Sequence, residues 1–186
     1  MQWNDHSRLA RANAHALLSP SKATWITYDN DRLIKYWENQ ERIKQGTKWH
    51  KLAEDCINMR QRLPDVIQTI PMFVNDALRY KMRAEQMLFY SEYVFGTADA
   101  ISFYNDTLRI HDLKTGVAPG KTLQLDIYAA IFCLEYSVKP NDIRIILRIY
   151  QDDEYVEWEP EPEHIFNCMD SIINKDTLLR QLDNEE

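Results

Sequence analysis

At 186 residues, with 45% hydrophobic, 27% charged and 11% aromatic positions, the chain is long enough for one domain with a packed core and short for two. No run of 18 apolar residues occurs, which argues against a membrane span, and the opening Met1-Gln2-Trp3-Asn4-Asp5-His6 lacks the basic-then-apolar layout of a secretory leader; a cytoplasmic protein is expected. The net charge of −7 speaks against a general polyanion binder, but Lys+Arg outnumber Asp+Glu by 14 to 10 in residues 1–90 and trail by 8 to 19 in residues 91–186, so local basic surface remains compatible with nucleic acid.

Along the chain, Ser19-Pro20-Ser21-Lys22 reads as a helix start, with Ser19 as cap and Pro20 at the first helical position. Residues 29–44 read as a charged helix. Residues 47–62 place Trp49, Leu52, Ala53 and Cys56 at i, i+3, i+4 and i+7, an amphipathic helix. Pro64 and Pro71 bracket its exit, and a short helix is expected around 73–82. Residues 86–95, 97–104 and 107–114 read as strands, with Tyr104-Asn105-Asp106 as a hairpin turn. Residues 122–136 predict a helix with the stripe Leu123, Ile127, Ala130, Ile131 and Leu134. Residues 142–150 alternate, Ile143, Ile145, Leu147 and Ile149 on one face and Arg144 and Arg148 on the other. A strand near 154–158 and a helix over 163–182 follow. The order predicts an α/β fold with a mixed sheet, helices before it and a helix after it. No internal repeat or Gly/Ser linker divides the chain, so residues 1–186 are taken as one domain: a mainly helical part (1–84), a sheet core (85–160) and a C-terminal helix (161–186).

Cys56, Cys133 and Cys168 lie far apart and form no C-x-x-C pair, so neither a disulfide framework nor an iron–sulfur cluster is expected.

Chemistry concentrates between Gly96 and Gly116. Leu108, Ile110, Asp112 and Lys114 share one face of a strand, so an acid and a lysine emerge at the end of an apolar row. Asp99 can reach them from the preceding strand. Mg²⁺ takes oxygen ligands and keeps several waters, so Asp99, Asp112 and the backbone carbonyl of Leu113 form a candidate site with room for phosphate. Lys114 could hold the attacking water or stabilise developing negative charge. The bland alternative is a surface Asp–Lys pair worth about 0–1 kcal/mol. His50, beside the apolar stripe of its helix, is either a packed side chain or a ligand suited to Mn²⁺. Glu85 could complete the acidic cluster, with Glu92 as its rival. Gln124 and Tyr128, at i and i+4, share a helix face and could order Lys114, or simply edge the sheet. Lys48, Lys51, Arg144 and Arg148 are candidate phosphate contacts, or solvated charges.

Together these residues resemble the PD-(D/E)XK nuclease superfamily in its RecB-like exonuclease branch. The matching blocks are Gly46-Thr47-Lys48-Trp49-His50, Glu85, Phe95-Gly96-Thr97-Ala98-Asp99, His111-Asp112-Leu113-Lys114-Thr115-Gly116 and Gln124-Leu125-Asp126-Ile127-Tyr128. The segment Ala14–Lys22 is similar to the start of small phage and prophage nucleases of this group. The resemblance implies a restriction-endonuclease-like αβββαβ core and a metal-dependent DNA exonuclease acting in replication or recombination. Mg²⁺ or Mn²⁺ would be held by His50, Glu85, Asp99 and Asp112, with Lys114 at the water and Gln124 and Tyr128 in support. It further implies DNA ends, single- or double-stranded, as partner, alone or with a recombination or replication protein, in the host cytoplasm, and is compatible with a homo-oligomer. Ala98 stands where the family name has proline. A nicking or branch-resolving endonuclease, or a non-catalytic DNA-end binder, would keep the same fold.

Overall fold

A computed structural model describes residues 16–116 and 120–183. The segment preceding residue 16, including Ala14 and His15 of the N-terminal match, lies outside the described residues. The chain divides into two compact units, Met1–Lys44 and Gln45–Glu186.

In the first unit, Pro20–Thr27 forms a 3₁₀ segment, kinked at Lys22, where an α-helix is expected. Ser19 stands at its N-cap position, yet its hydroxyl meets Ser21 Oγ (2.8 Å) instead of a backbone N–H. The carboxylate of Asp29 accepts the Arg32 N–H (2.8 Å) and starts α1, Asn30–Asn58. The two helices expected at 29–44 and 47–62 are thus one element. Gly46 costs a helix about 1 kcal/mol, too little to break it where good helix formers flank it.

In the second unit, α2 (Thr69–Arg79) leads into β1 (Arg83–Ser91), β2 (Val94–Tyr104) and β3 (Thr107–Leu113). Then come α3 (Thr122–Glu135), β4 (Arg144–Gln151), β5 (Glu154–Trp158) and α4 (Pro162–Asp183). The sheet runs β1-β2-β3-β4-β5, and only β3 and β4 are parallel. A parallel pair needs a long crossover, and α3 supplies it. The mixed α/β architecture with flanking helices is as the sequence predicts.

Both sheet faces are covered. On one, Leu108, Ile110, Ile145, Leu147 and Ile149 pack with Leu125, Ala129 and Cys133 of α3 and Ile165 and Ile172 of α4. On the other, Leu113, Ala100 and Tyr150 pack with Phe73, Val74 and Ala77 of α2 and with Ala53, Cys56 and Ile57 of α1. Burial of this kind contributes about 25 cal/mol per Å² of apolar surface. Cys56 and Cys133 fall in these separate clusters, and burial pushes the Cys133 thiol up to about 11.

Two expectations change. Of the stripe expected on α3, Ala130 and Ile131 are buried and Leu134 packs against the core, but Leu123 and Ile127 are exposed, and Leu125, Ala129 and Cys133 are buried as well. The helix lies between the sheet and α4, so a single 3.6-period stripe does not describe it. The first hairpin turns at Glu92-Tyr93, and β2 starts at Val94, not 97. No helix among the described residues is long and apolar enough to cross a membrane.

Candidate metal centre

Strand parity works as expected on β3. Leu108, Ile110 and Asp112 face α3, whereas His111 and Leu113 turn to the α2 side. Asp112 is 4% exposed, a position that demands a partner for its charge. That partner is Lys114, whose ammonium donates to Asp112 Oδ1 (3.0 Å) and to Gln124 Oε1 (3.2 Å). It also lies 2.9 Å from Asp112 Oδ2, but at an angle that leaves this buried oxygen without a hydrogen bond.

Asp99 arrives from β2. Its Oδ2 accepts the Leu113 N–H (2.7 Å), which pins the carboxylate to the end of β3. Its Oδ1 stands 3.7 Å from His50 Nδ1. Glu85 sits inside β1 between the pairs Ala84–Ala100 and Gln86–Ala98, and so opposite Asp99. Its φ of 48° is left-handed, rare for a non-glycine residue in a strand and typical of backbone constrained at a functional site. One donor atom each from His50, Glu85 and Asp99 lies within 4.8 Å of the other two. Glu92, in the β1–β2 turn, is not among them.

Burial, and then the neighbouring Asp112 charge, pushes the Asp99 carboxyl up to about 6, against the pull of the Leu113 N–H and His50. Burial also raises the Glu85 carboxyl. Two acids whose ionisation the fold resists are a cluster arranged to receive positive charge. An imidazole nitrogen and two carboxylates fit Mg²⁺, or Mn²⁺ given the histidine. Asp112, expected as a fourth ligand, stands outside this three-donor cluster against Lys114, its Oδ2 an orphaned buried acceptor.

Two glycines let the elements close on this cluster. A Cβ on Gly96 would stand 2.9 Å from the Tyr128 ring, so the bare backbone of β2 is what seats the phenol beside Gln124. A Cβ on Gly46 would meet Thr115 Oγ1 at 2.8 Å, so this part of α1, which carries His50, lies directly against the segment after β3. Gly46 and Thr115 both stand in the matched sequence blocks; what no spacing shows is that the two meet. Gly96→Ala is expected to cost about 1–3 kcal/mol in urea unfolding by overpacking against the ring. The loss should shrink in a Tyr128→Ala background, and equal losses in both would refute the cradle.

The expected phosphate contacts divide. Lys48 is exposed, and Lys51 pairs with Glu54 and Asp55, both at 3.0 Å. Arg144 is exposed and bonds Glu159 (2.9 Å from Nε). Arg148 is corrected outright: it is 6% exposed and held by Asp76, Glu157 and the Tyr150 hydroxyl. Its side of β4 is covered by α2, so the guanidinium anchors the core and does not reach solvent. His111 joins the same network, 3.3 Å from the Tyr150 hydroxyl, and burial with Arg148 and Arg109 nearby lowers it to about 3.

The fold and donors define an α/β protein with a candidate metal centre at the junction of β1, β2, β3 and α1. A family model described as a protein of unknown function, DUF2800, matches residues 31–152, and the chain belongs to that family. No curated protein matches it. Among solved structures, the crystal structure of SSO0001 is similar at 13% identity, with a TM-score of 0.29, over 50% of this chain and 50% of that one. The chain thus spans half the length of that structure.

Proposed function

We propose that the protein is a metal-dependent DNA nuclease of the PD-(D/E)XK type, acting from DNA ends. The observation that carries this reading is the His50–Glu85–Asp99 donor cluster set beside the Asp112–Lys114 pair. A surface ion pair accounts for neither the burial of Asp112 nor three donor groups converging from two strands and a helix.

Mg²⁺ or Mn²⁺ would be held by His50, Glu85 and Asp99, with Asp112 and the Leu113 carbonyl as further oxygen donors, and would supply Lewis-acid activation of water and phosphate. Lys114, steadied by Asp112 and Gln124, presents its remaining N–H to a water or to a phosphate oxygen gaining charge. Gln124 fixes that ammonium from the α3 side, and Tyr128 bonds Gln124. Asp99 is kept in one orientation by the Leu113 N–H.

The test is end-labelled linear DNA and covalently closed circles incubated with Mg²⁺ or Mn²⁺. Release of mononucleotides or short oligomers from linear DNA, with circles untouched, is the expected result. Nicked or linearised circles would make it an endonuclease, and no metal-dependent cleavage of either would overturn the reading. Mn²⁺ binding should depend on pH in a set direction. Protons compete for Asp99 below about 6, so affinity should fall about tenfold per pH unit beneath that value. Calorimetry showing a flat affinity from pH 7 to pH 5 would remove Asp99 from the ligand set.

A further inference from the structure

We infer that a second site, a basic and aromatic cleft at the β2–β3 hairpin end of the sheet, binds single-stranded nucleic acid. The cleft measures about 820 Å³ and continues into a smaller one of about 300 Å³ that shares Lys81, Arg83 and Gln86. Arg60, Arg79, Lys81, Arg83 and Arg109 line the two, and no Asp or Glu is among the described residues that do. In a chain of net charge −7, five cations with no acid in the lining, though Glu159 stands near Arg109, make a local field that favours a polyanion. Lys81 and Arg83 are exposed and have no acidic partner among the described residues.

The aromatic side chains decide which polyanion. Phe103, Phe132 and Tyr136 form a continuous ladder, with ring centroids 5.2 and 4.8 Å apart. Tyr104, 72% exposed, lines the same cleft from the other face of β2; Phe103 and Tyr136 are exposed, while Phe132 is buried. Arg109 lies over the Tyr80 ring at 4.2 Å, a planar cation on an aromatic face. Exposed rings next to cations suit unstacked bases joined by phosphates, whereas a duplex keeps its bases from such rings. An acidic peptide would use the cations and leave the rings idle.

Two helix ends bring cations to the clefts by the same left-handed turn that closes α3 at Ser137 (φ 54°). Helices α1 and α2 both end in a left-handed residue, with bonds from Gln61 N to Cys56 O and from Met82 N to Ala77 O, each 2.8 Å. Glycine is the residue this position favours, yet Arg60 (φ 55°) and Lys81 (φ 53°) occupy it. Both residues line the clefts.

The cleft shares no lining residue with the His50–Glu85–Asp99 cluster. Along β3, Arg109 and Asp112 are three residues apart, about 10 Å. The inference therefore stands whether or not the carboxylate cluster cuts DNA.

The test is fluorescence anisotropy of the full chain in EDTA, with labelled oligothymidylate and oligouridylate of about 20 nucleotides and a hairpin duplex of equal charge. Binding of the single strands at least tenfold tighter than the duplex is expected. Tyr104→Ala should weaken single-strand binding about tenfold and leave duplex binding unchanged. Lys81→Gln with Arg83→Gln should flatten the salt dependence by about 1.4 in log–log slope. Lys81→Gly should keep or raise the melting temperature while weakening binding, which a purely structural lysine would not do. Equal affinity for duplex, no binding of either strand, or displacement by polyglutamate of equal charge would each overturn the proposal. An Asp99→Asn protein that binds but does not cut would separate this site from the nuclease reading.

Discussion

Asp99→Asn is expected to abolish metal-dependent cleavage while making the metal-free protein more stable at neutral pH. The two effects share one cause. The fold holds the Asp99 carboxyl at about 6, whereas an unfolded chain ionises it near 3.9. For an acid raised in the folded state, stability falls as pH climbs from the unfolded value through the folded one, and the whole penalty is present at pH 7.5. Asparagine keeps an oxygen for the Leu113 N–H and removes the charge that burial and Asp112 oppose. A gain of about 1–3 kcal/mol in urea unfolding at pH 7.5, vanishing below about pH 4, is therefore expected. Cleavage should drop by at least about 10²–10³-fold, the usual effect of removing one group that stabilises transition-state charge. Asp112→Ala and Lys114→Ala should silence activity likewise. Unchanged turnover in any of these variants would sink the site assignment. A stability loss for Asp99→Asn at neutral pH would show that the carboxylate serves the fold.

The second large effect falls on Arg148. Arg148→Ala leaves Asp76, Glu157 and the Tyr150 hydroxyl without the cation that holds them together. Breaking a fully buried pair from one side costs about 3–5 kcal/mol. Asp76 is partly and Glu157 largely open to solvent, so the loss here should be about 1–3 kcal/mol, from the desolvated hydroxyl and the packing that the buried guanidinium supplies. Arg144→Ala, on an exposed pair with Glu159, should cost no more than about 1 kcal/mol. Urea unfolding of the two variants makes the contrast. If Arg148→Ala instead lowered DNA affinity with stability intact, the guanidinium would be a phosphate contact after all.

Much of this arrangement is legible in the residues themselves. Period-2 alternation places Leu108, Ile110 and Asp112 on one face, and Lys114 follows from the same parity. The i, i+4 spacing of Gln124 and Tyr128 puts both on the side of α3 that meets Lys114. Local spacing suffices because the partners are near in sequence and each element has a fixed repeat. Arg148 shows the limit. The alternation of β4 says which residues share its face but not whether α2 covers that face, and the cover turns a presumed surface arginine into a buried anchor. The buried surface of α3, wider than the stripe its spacing gives, has the same origin, since α4 packs against a side that the helix's own pattern leaves ambiguous.

The sequence by itself determined the order of elements, the mixed sheet and the pairing of Asp112 with Lys114, because these follow from hydrophobic period and turn chemistry over a few residues. Only the tertiary structure decided that Glu85, not Glu92, joins His50 and Asp99. It also placed Gly96 under Tyr128 and gathered cations from two helix ends and two strands into one cleft. Those outcomes depend on strand register and on backbone approach between segments dozens of residues apart, which no local pattern encodes.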